Sequence, residues 1–410
     1  MIQRKLRMGV AGLGRAFSLM LPTLVMDDRI EIVAGADPRS EARVRFEQDF
    51  QGRAYERVED MCADPRVEVV YISTPHQYHL ENVAAAAAAG RHILCEKPMA
   101  LNVEDCLRMI DLAKAAGVAL VVGHSHSFDA PVRRAREIIE SGTYGDVRMM
   151  SAMNYTDFLF RPRRPEELDT AQGGGVIFNQ APHQVDNVRF IGGGMVKSVR
   201  AVTGAWDQAR RTEGAFTALL TFESGAGASI TYSGYAHFDS DELVDWIAES
   251  GMPKNPQNYG ATRRALEGVA GDAEHALKSQ VNYGGARYAG FDPARDKPSA
   301  ERQHQNFGLL VASCDRADLR PTSKGVMIYD DRERRLEAVA VPPVPRQEVI
   351  DELYAAVANG VAPVHDGRWG LATMEVCFAI LASAREGREV SLSHQVPTPD
   401  LGARARKTFA

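Results

Sequence analysis

Gly9-Val10-Ala11-Gly12-Leu13-Gly14-Arg15-Ala16-Phe17 is the stretch on which the fold turns. A short apolar run, residues 7–11, leads into it and reads as a strand, and a helical pattern follows. Gly12 and Gly14 match the first two glycines of a G-x-G-x-x-G turn. The first permits a tight strand-to-helix turn. The second lets a pyrophosphate approach the backbone where Arg15 and Ala16 open the helix. Phe17 stands at the third glycine position, which predicts looser packing of helix on strand. Glycine turns of this kind also occur without nucleotides, so context must decide. A second strand, residues 31–36, ends at Asp37. An acid about 20 positions beyond such glycines binds the hydroxyls of an adenosine ribose. A carboxylate there repels a 2′-phosphate, so NAD is favoured over NADP, with Arg39 close enough to soften the preference. The bland alternative for Asp37 is a turn residue before Pro38.

Outward from this motif, short apolar runs at 67–73, 92–95 and 119–122 alternate with helical patterns, among them 82–89, stopped by Gly90. Runs this short and continuous fit a doubly wound parallel sheet buried on both faces. Residues 1–123 are thus expected to form a Rossmann dinucleotide-binding domain. After Gly123 the pattern changes. Residues 131–140, 349–358 and 371–385 read as helices, while 217–222 with 228–232, and 325–329 with 336–341, read as hairpins. Residues 124–410 are expected to be an α+β catalytic and oligomerisation domain on a large open, mostly antiparallel sheet. A polar, Gly/Pro-punctuated insertion at about 241–303 has no assignable fold.

Composition narrows the partners. The chain has 410 residues, 45% apolar and 25% charged, with a net charge of -6, an ordinary globular profile that gives nucleic acid no support. Its length suits two or three domains. No apolar run reaches the ~18 residues of a membrane helix, and the basic start leads straight into the glycine motif rather than into a signal peptide. A cytoplasmic protein with a small-molecule substrate is expected. The five cysteines are scattered without a CxxC pair, predicting neither a disulfide framework nor a zinc site.

Further segments resemble the Gfo/Idh/MocA family of oxidoreductases. Thr74-Pro75-His76-Gln77-Tyr78-His79 is similar to the family's T-P-x-x-x-H loop, and Glu96-Lys97-Pro98 matches its E-K-P signature. The segment Gly173-Gly174-Gly175 through His183 to Asp186 resembles its G-G-G-x-x-x-D-x-G-x-H-x-x-D pattern. The closing residues 365–370 and 383–390 resemble its D-G-x-x-G and S-A-x-x-G-R-x-V elements. Within the family the pattern is most like the phthalate 4,5-cis-dihydrodiol dehydrogenase group, on residues 12–17, 123–129, 160–165 and 314–320.

The resemblance implies that Thr74, Pro75, His79, Glu96 and Lys97 contribute to the cofactor site beside Gly12, Gly14, Arg15, Ala16, Asp37 and Arg39. It implies that Lys97 hydrogen-bonds the reacting oxygen. A lysine serves there as proton acceptor if burial and neighbouring positive charge lower its pKa; the alternative is a solvated surface lysine. His183 matches the family's active-site histidine. The family aspartate four residues earlier is Asn179 here, an uncharged amide expected to orient a substrate hydroxyl but unable to accept a proton, which puts inositol-type polyol chemistry in doubt. Arg161, Arg163 and Arg164 read either as a solvated loop or as a clamp for a substrate carboxylate. His124 and His126 end the last strand of the first domain, where α/β ligands bind. As His-x-His they suggest a metal pair, but with no carboxylate or thiol set to complete it, no metal is expected.

The reading is an NAD-dependent dehydrogenase of a small secondary alcohol, in its sharper form a carboxylated aromatic cis-dihydrodiol going to a catechol. The alternatives are a sugar or inositol dehydrogenase and a non-catalytic nucleotide sensor. A homodimer or homotetramer is expected.

Overall fold

The computed structural model describes residues 4–269, 271–288, 290 and 299–401. The chain divides into two compact units. The first takes the described residues up to His124 and those of 275–298 and 342–371; the second takes 125–274, 299–341 and the described residues from Ala372 onward. One continuous domain over 124–410 was the expectation. Instead, two later segments return to the first unit. In the helix Gln347–Asn359 the residues Val349, Ile350 and Leu353 are buried, and Val122 N donates to His365 O at 2.8 Å.

The first unit holds a six-stranded sheet of β1 (Leu6–Ala11), β2 (Ile30–Ala36), β3 (Arg53–Tyr55), β4 (Val69–Ile72), β5 (His92–Cys95) and β6 (Leu120–Val122). Their order is β3-β2-β1-β4-β5-β6, and every pairing is parallel. Strand order reverses between β1 and β4, so the loops after their carboxyl ends frame the crevice where such sheets bind ligands. β4 is buried along its whole length, as a strand covered on both faces must be.

The second unit holds a nine-stranded sheet. Its strands are β7 (Val147–Tyr155), β8 (Val196–Gly204), β9 (Ala215–Phe222), β10 (Gly227–Ser233), β11 (Leu309–Cys314), β12 (Ala317–Thr322), β13 (Gly325–Asp330), β14 (Arg334–Ala338) and β15 (Val390–Ser391). They run β14-β13-β12-β11-β7-β10-β9-β8-β15, antiparallel except for β7 with β10. Both expected hairpins are present, as β9–β10 and β13–β14. β9 alternates strictly: Phe216, Ala218, Leu220 and Phe222 point inward, while Thr217, Leu219 and Thr221 point outward. Helices Ala130–Glu140 and Ala181–Gly192 cover the inner face, and the second is buried from Ala181 to Ile191.

Of the polar insertion, the described part carries 3-10 turns at Ser240–Val244 and Pro256–Asn258 and helices at Ala261–Ala265 and Asp272–Gln280. Residues 270, 289 and 291–298 of it lie outside the described residues. Among the described residues no helix is long and apolar enough to cross a membrane.

Candidate active site

The residues expected to bind the dinucleotide lie on the loops that frame the crevice of the first sheet. Gly12 has φ +88°, and a Cβ there would lie 2.8 Å from Thr74 N, so the loops after β1 and β4 touch only because this residue is glycine. Gly14 differs. A Cβ on it would meet nothing within 4 Å, which leaves open space at the start of the helix Arg15–Met26. That space suits a pyrophosphate approaching the helix N-terminus. Arg15 is exposed and Ala16 half-buried beside it.

Asp37 is buried at the end of β2 and accepts from Leu13 N at 2.8 Å, so it clamps the glycine loop. Arg39 forks onto the same carboxylate, with Nε at 3.0 Å and Nη2 at 3.1 Å, and Nη2 also donates to Leu13 O at 2.7 Å. The arginine expected to soften the preference for NAD is thereby committed to Asp37 and Leu13. Phe17 does not loosen the packing. It is fully buried, with its ring edge-on to Tyr283 at 5.0 Å and to Phe50 at 6.4 Å. Tyr283 comes from the polar insertion and donates to Asp49 at 2.7 Å. An aromatic cluster thus replaces the close helix–strand contact that a third glycine would allow.

Thr74 accepts from Asn82 at 2.8 Å, and Pro75 opens the turn that follows. The His79 ring lies between backbone carbonyls, Nε2 at 3.1 Å from Thr74 O and Nδ1 at 3.0 Å from Pro98 O. It therefore braces the Thr74 loop against the Glu96-Lys97-Pro98 loop, and burial pushes its pKa down despite those contacts. Glu96 is also internal. Burial raises its pKa, Lys97 and Arg346 oppose the rise, and Tyr71 donates to it at 2.6 Å. Lys97 is half-buried on the same loop. His124 ends the first segment of this unit and is buried.

The second unit gathers another set. His126 sits in a 3-10 turn, His126–Phe128, and is almost fully buried. Its Nδ1 is 2.7 Å from Asp129 Oδ2 and its Nε2 is 3.6 Å from Glu249 Oε1. Burial would push this imidazole down, but Asp129 and then Glu249 outweigh it and raise the pKa to about 9. His183 stands on the helix Ala181–Gly192, its ring centroid 4.9 Å from those of both His126 and Phe307. Phe307 also stacks on His126 at 5.1 Å. Ser127 donates to Asp186, which also accepts from Thr373, so the turn bearing His126 is tied to the helix bearing His183. The sequence motif contained Asp186 and the stretch 123–129 contained Asp129, but their brace was not legible there.

The expectation of no metal rested on there being no carboxylate beside the histidines. Carboxylates do stand beside the histidines: His126, His183 and Glu249 each offer a ligand atom, all within 4.8 Å of one another. Glu249 carried no sequence signal, because it lies in the insertion 66 positions from His183.

The arginine cluster separates. Arg163 is buried, lies 3.7 Å over the Phe158 ring, and donates to Phe158 O at 2.6 Å; burial lowers its pKa to about 10. Arg164 pairs with Glu166 at 3.2 Å and Glu167 at 3.4 Å. Both guanidiniums are thus engaged by partners of their own segment. Arg161 keeps its side chain 47% exposed, 3.4 Å from Asp157. Burial opposes its charge, but the carboxylates of Glu249 and Asp157 outweigh it and keep the pKa raised. Asn179 donates its amide to Gly173 O at 3.1 Å and Gly175 O at 2.8 Å, holding the glycine turn rather than serving as an acid or base. All five cysteines are free thiols.

Family comparisons agree with this architecture. Residues 6–124 match the oxidoreductase family with an NAD-binding Rossmann fold, and residues 132–251 match the Gfo/Idh/MocA C-terminal domain. The chain is 47% identical over 382 residues to 1-carboxy-3-chloro-3,4-dihydroxycyclohexa-1,5-diene dehydrogenase of Comamonas testosteroni, covering 93% of this chain and 95% of that one. It is 31% identical over 253 residues to myo-inositol 2-dehydrogenase of Thermotoga maritima, covering 60% and 74% respectively. A crystal structure of a Bordetella bronchiseptica protein described as a dehydrogenase superposes with a TM-score of 0.88 at 41% identity, over 95% of this chain and 100% of that one. The chain therefore belongs to the Gfo/Idh/MocA family of NAD-binding oxidoreductases.

Proposed function

We propose that the chain oxidises a carboxylated cis-dihydrodiol of a cyclohexadiene to the corresponding catechol, with NAD+ as hydride acceptor. The observation that carries this is the near full-length similarity to the Comamonas testosteroni enzyme, whose name specifies a carboxylated dihydroxycyclohexadiene. In the reaction, hydride leaves one carbinol carbon for the nicotinamide while its hydroxyl proton passes to a base. The hydroxyketone loses its ring proton and tautomerises to the catechol, giving NADH and one proton per diol. Lys97 accepts the proton, as the family motif implies, and His183 orients the reacting hydroxyl. Arg161 binds the carboxylate, an assignment supported by its exposure among groups that favour its charge. Asn179, committed to the glycine turn, counts against polyol chemistry of the inositol type.

The test follows absorbance at 340 nm with NAD+ and a carboxylated cis-dihydrodiol, its decarboxylated analogue, and myo-inositol. The carboxylated diol should have the highest kcat/KM, by at least tenfold. Highest activity on inositol would overturn the reading. Lys97→Met should lose 10²–10⁴-fold in kcat, the usual contribution of an acid–base group, while still binding NADH.

A homodimer or homotetramer through the outer face of the nine-stranded sheet belongs to the same proposal. Met149, Val202 and Leu219 on that face are 57%, 60% and 56% exposed. A strictly monomeric species in light scattering at micromolar concentration would exclude it. Free thiols suit the reducing cytoplasm in which we place the protein.

A further inference from the structure

We propose that His126, His183 and Glu249 bind one divalent transition-metal ion, with Asp129 orienting His126 from behind. Two imidazoles and one carboxylate form a recurrent ligand set for catalytic zinc and non-haem iron(II). Here the three ligand atoms lie within 4.8 Å of one another. The separation of His126 Nε2 from Glu249 Oε1, 3.6 Å, is too long for a hydrogen bond. It is close to the span of two ligands on a tetrahedral ion, about 3.4 Å for bonds of about 2.1 Å.

Two further observations favour a built site over a chance ion pair. Asp129 Oδ2 holds His126 Nδ1 at 2.7 Å. A carboxylate on the far nitrogen is the usual outer partner of a metal-bound histidine, because it fixes the tautomer that presents the near nitrogen to the ion. The two imidazoles are also pre-set. Phe307 packs against both rings, and the Ser127–Asp186 bond ties their backbones together. Glu249 lies on a turn with its side chain 43% exposed, so it has freedom to close on an ion without disturbing the core.

Three protein ligands leave a position open for substrate. Resting on the dihydrodiol reading, the occupant would be the pair of vicinal oxygens of the diol, so that His183 would orient the reacting hydroxyl through the ion rather than by direct contact. The ion would then stabilise the alkoxide as hydride leaves. Cation binding itself does not depend on that reading, and it is tested without any diol. The full chain is stripped with chelator and titrated with Zn²⁺ by calorimetry and with Co²⁺ by visible absorption.

The expected result is one equivalent of either ion and Co²⁺ bands of four- or five-coordinate geometry. His126→Ala, His183→Ala and Glu249→Ala should each weaken binding at least 100-fold, and Asp129→Asn about 10–100-fold, the usual effect of losing an outer partner. Circular dichroism of the metal-free variants separates lost ligands from lost fold. If His126→Ala fails to fold, Glu249→Gln, on an exposed turn, carries the same test. No stoichiometric uptake, or uptake unchanged in the ligand variants, overturns the proposal. A protein that binds the ion but oxidises no diol refutes the substrate reading instead. One that oxidises the diol at full rate yet binds no ion refutes the metal site alone.

Discussion

Two glycines five atoms of backbone apart should fail in opposite ways when a methyl group is added. At Gly12, alanine would have to adopt φ +88° and place its Cβ 2.8 Å from Thr74 N and 2.9 Å from Thr74 Cα. The left-handed conformation costs about 1–2 kcal/mol, and overpacking against a backbone that cannot swing aside adds about 1–3 kcal/mol. Gly12→Ala should therefore destabilise the first unit by roughly 2–5 kcal/mol, or about 4–20 °C in Tm at roughly 2–4 °C per kcal/mol. At Gly14, φ is −94° and the added Cβ meets nothing within 4 Å, so the fold should not notice it. The methyl group would instead stand where the pyrophosphate approaches the helix N-terminus. Losing one charge-assisted hydrogen bond there costs about 1.5–3 kcal/mol, or about 10–150-fold in Kd. The assay pairs differential scanning fluorimetry without ligand with NADH titration by fluorescence. Gly14→Ala should melt within about a degree of the parent and bind NADH at least tenfold more weakly. Wild-type NADH affinity in a well-folded Gly14→Ala protein would refute the assignment of that open space to the cofactor.

Three further outcomes follow from the same geometry. Arg161→Ala should raise KM for a carboxylated substrate about tenfold or more with little effect on an uncharged analogue, whereas Arg163→Ala should lower Tm without changing that preference; equal effects on both substrates would remove Arg161 from carboxylate recognition. Because Arg39 is spent on Asp37 and Leu13, NAD+ should exceed NADP+ in kcat/KM, and Asp37→Ser should narrow the gap; a parent enzyme that prefers NADP+ would show that another cation reads the 2′-phosphate. His79 has a lowered pKa in the folded state, so below about pH 6.5 the unfolded chain binds the extra proton and stability falls as pH drops from there through the folded value. The Tm advantage of the parent over His79→Asn should shrink between pH 7.5 and pH 5, and an advantage independent of pH would contradict it.

The first unit was legible wherever its information is local. β1, β2, β4, β5 and β6 are apolar runs broken by turn residues, and the glycine motif, Asp37 and the E-K-P loop fell where those strands end. β3 escaped notice because three residues at a sheet edge, Arg53–Tyr55, carry no apolar run. The hairpins β9–β10 and β13–β14 were legible for the same reason as β1, since alternation and a short turn specify them without distant help. The polar insertion was not legible. Tyr283 has meaning only against Phe17, 266 positions earlier, and Glu249 only against His126 and His183.

The arginine cluster marks the boundary between the two kinds of information. Residue type and spacing identified Arg161, Arg163 and Arg164 as charges on one stiff segment, and nothing in the segment distinguishes them. Their fates depend on what packs above each one: the Phe158 ring and carbonyl for Arg163, two glutamates for Arg164, and a half-open setting for Arg161. Sequence alone determined the dinucleotide fold, the likeness to a dehydrogenase family and the residue types offered for chemistry, because strand periodicity, turn glycines and short motifs are set by neighbours within a few residues. Tertiary structure decided which of those residues are committed to structure and which carboxylates meet the histidines. Burial, ion pairing and ring packing act between side chains that only the folded chain brings within a few ångströms.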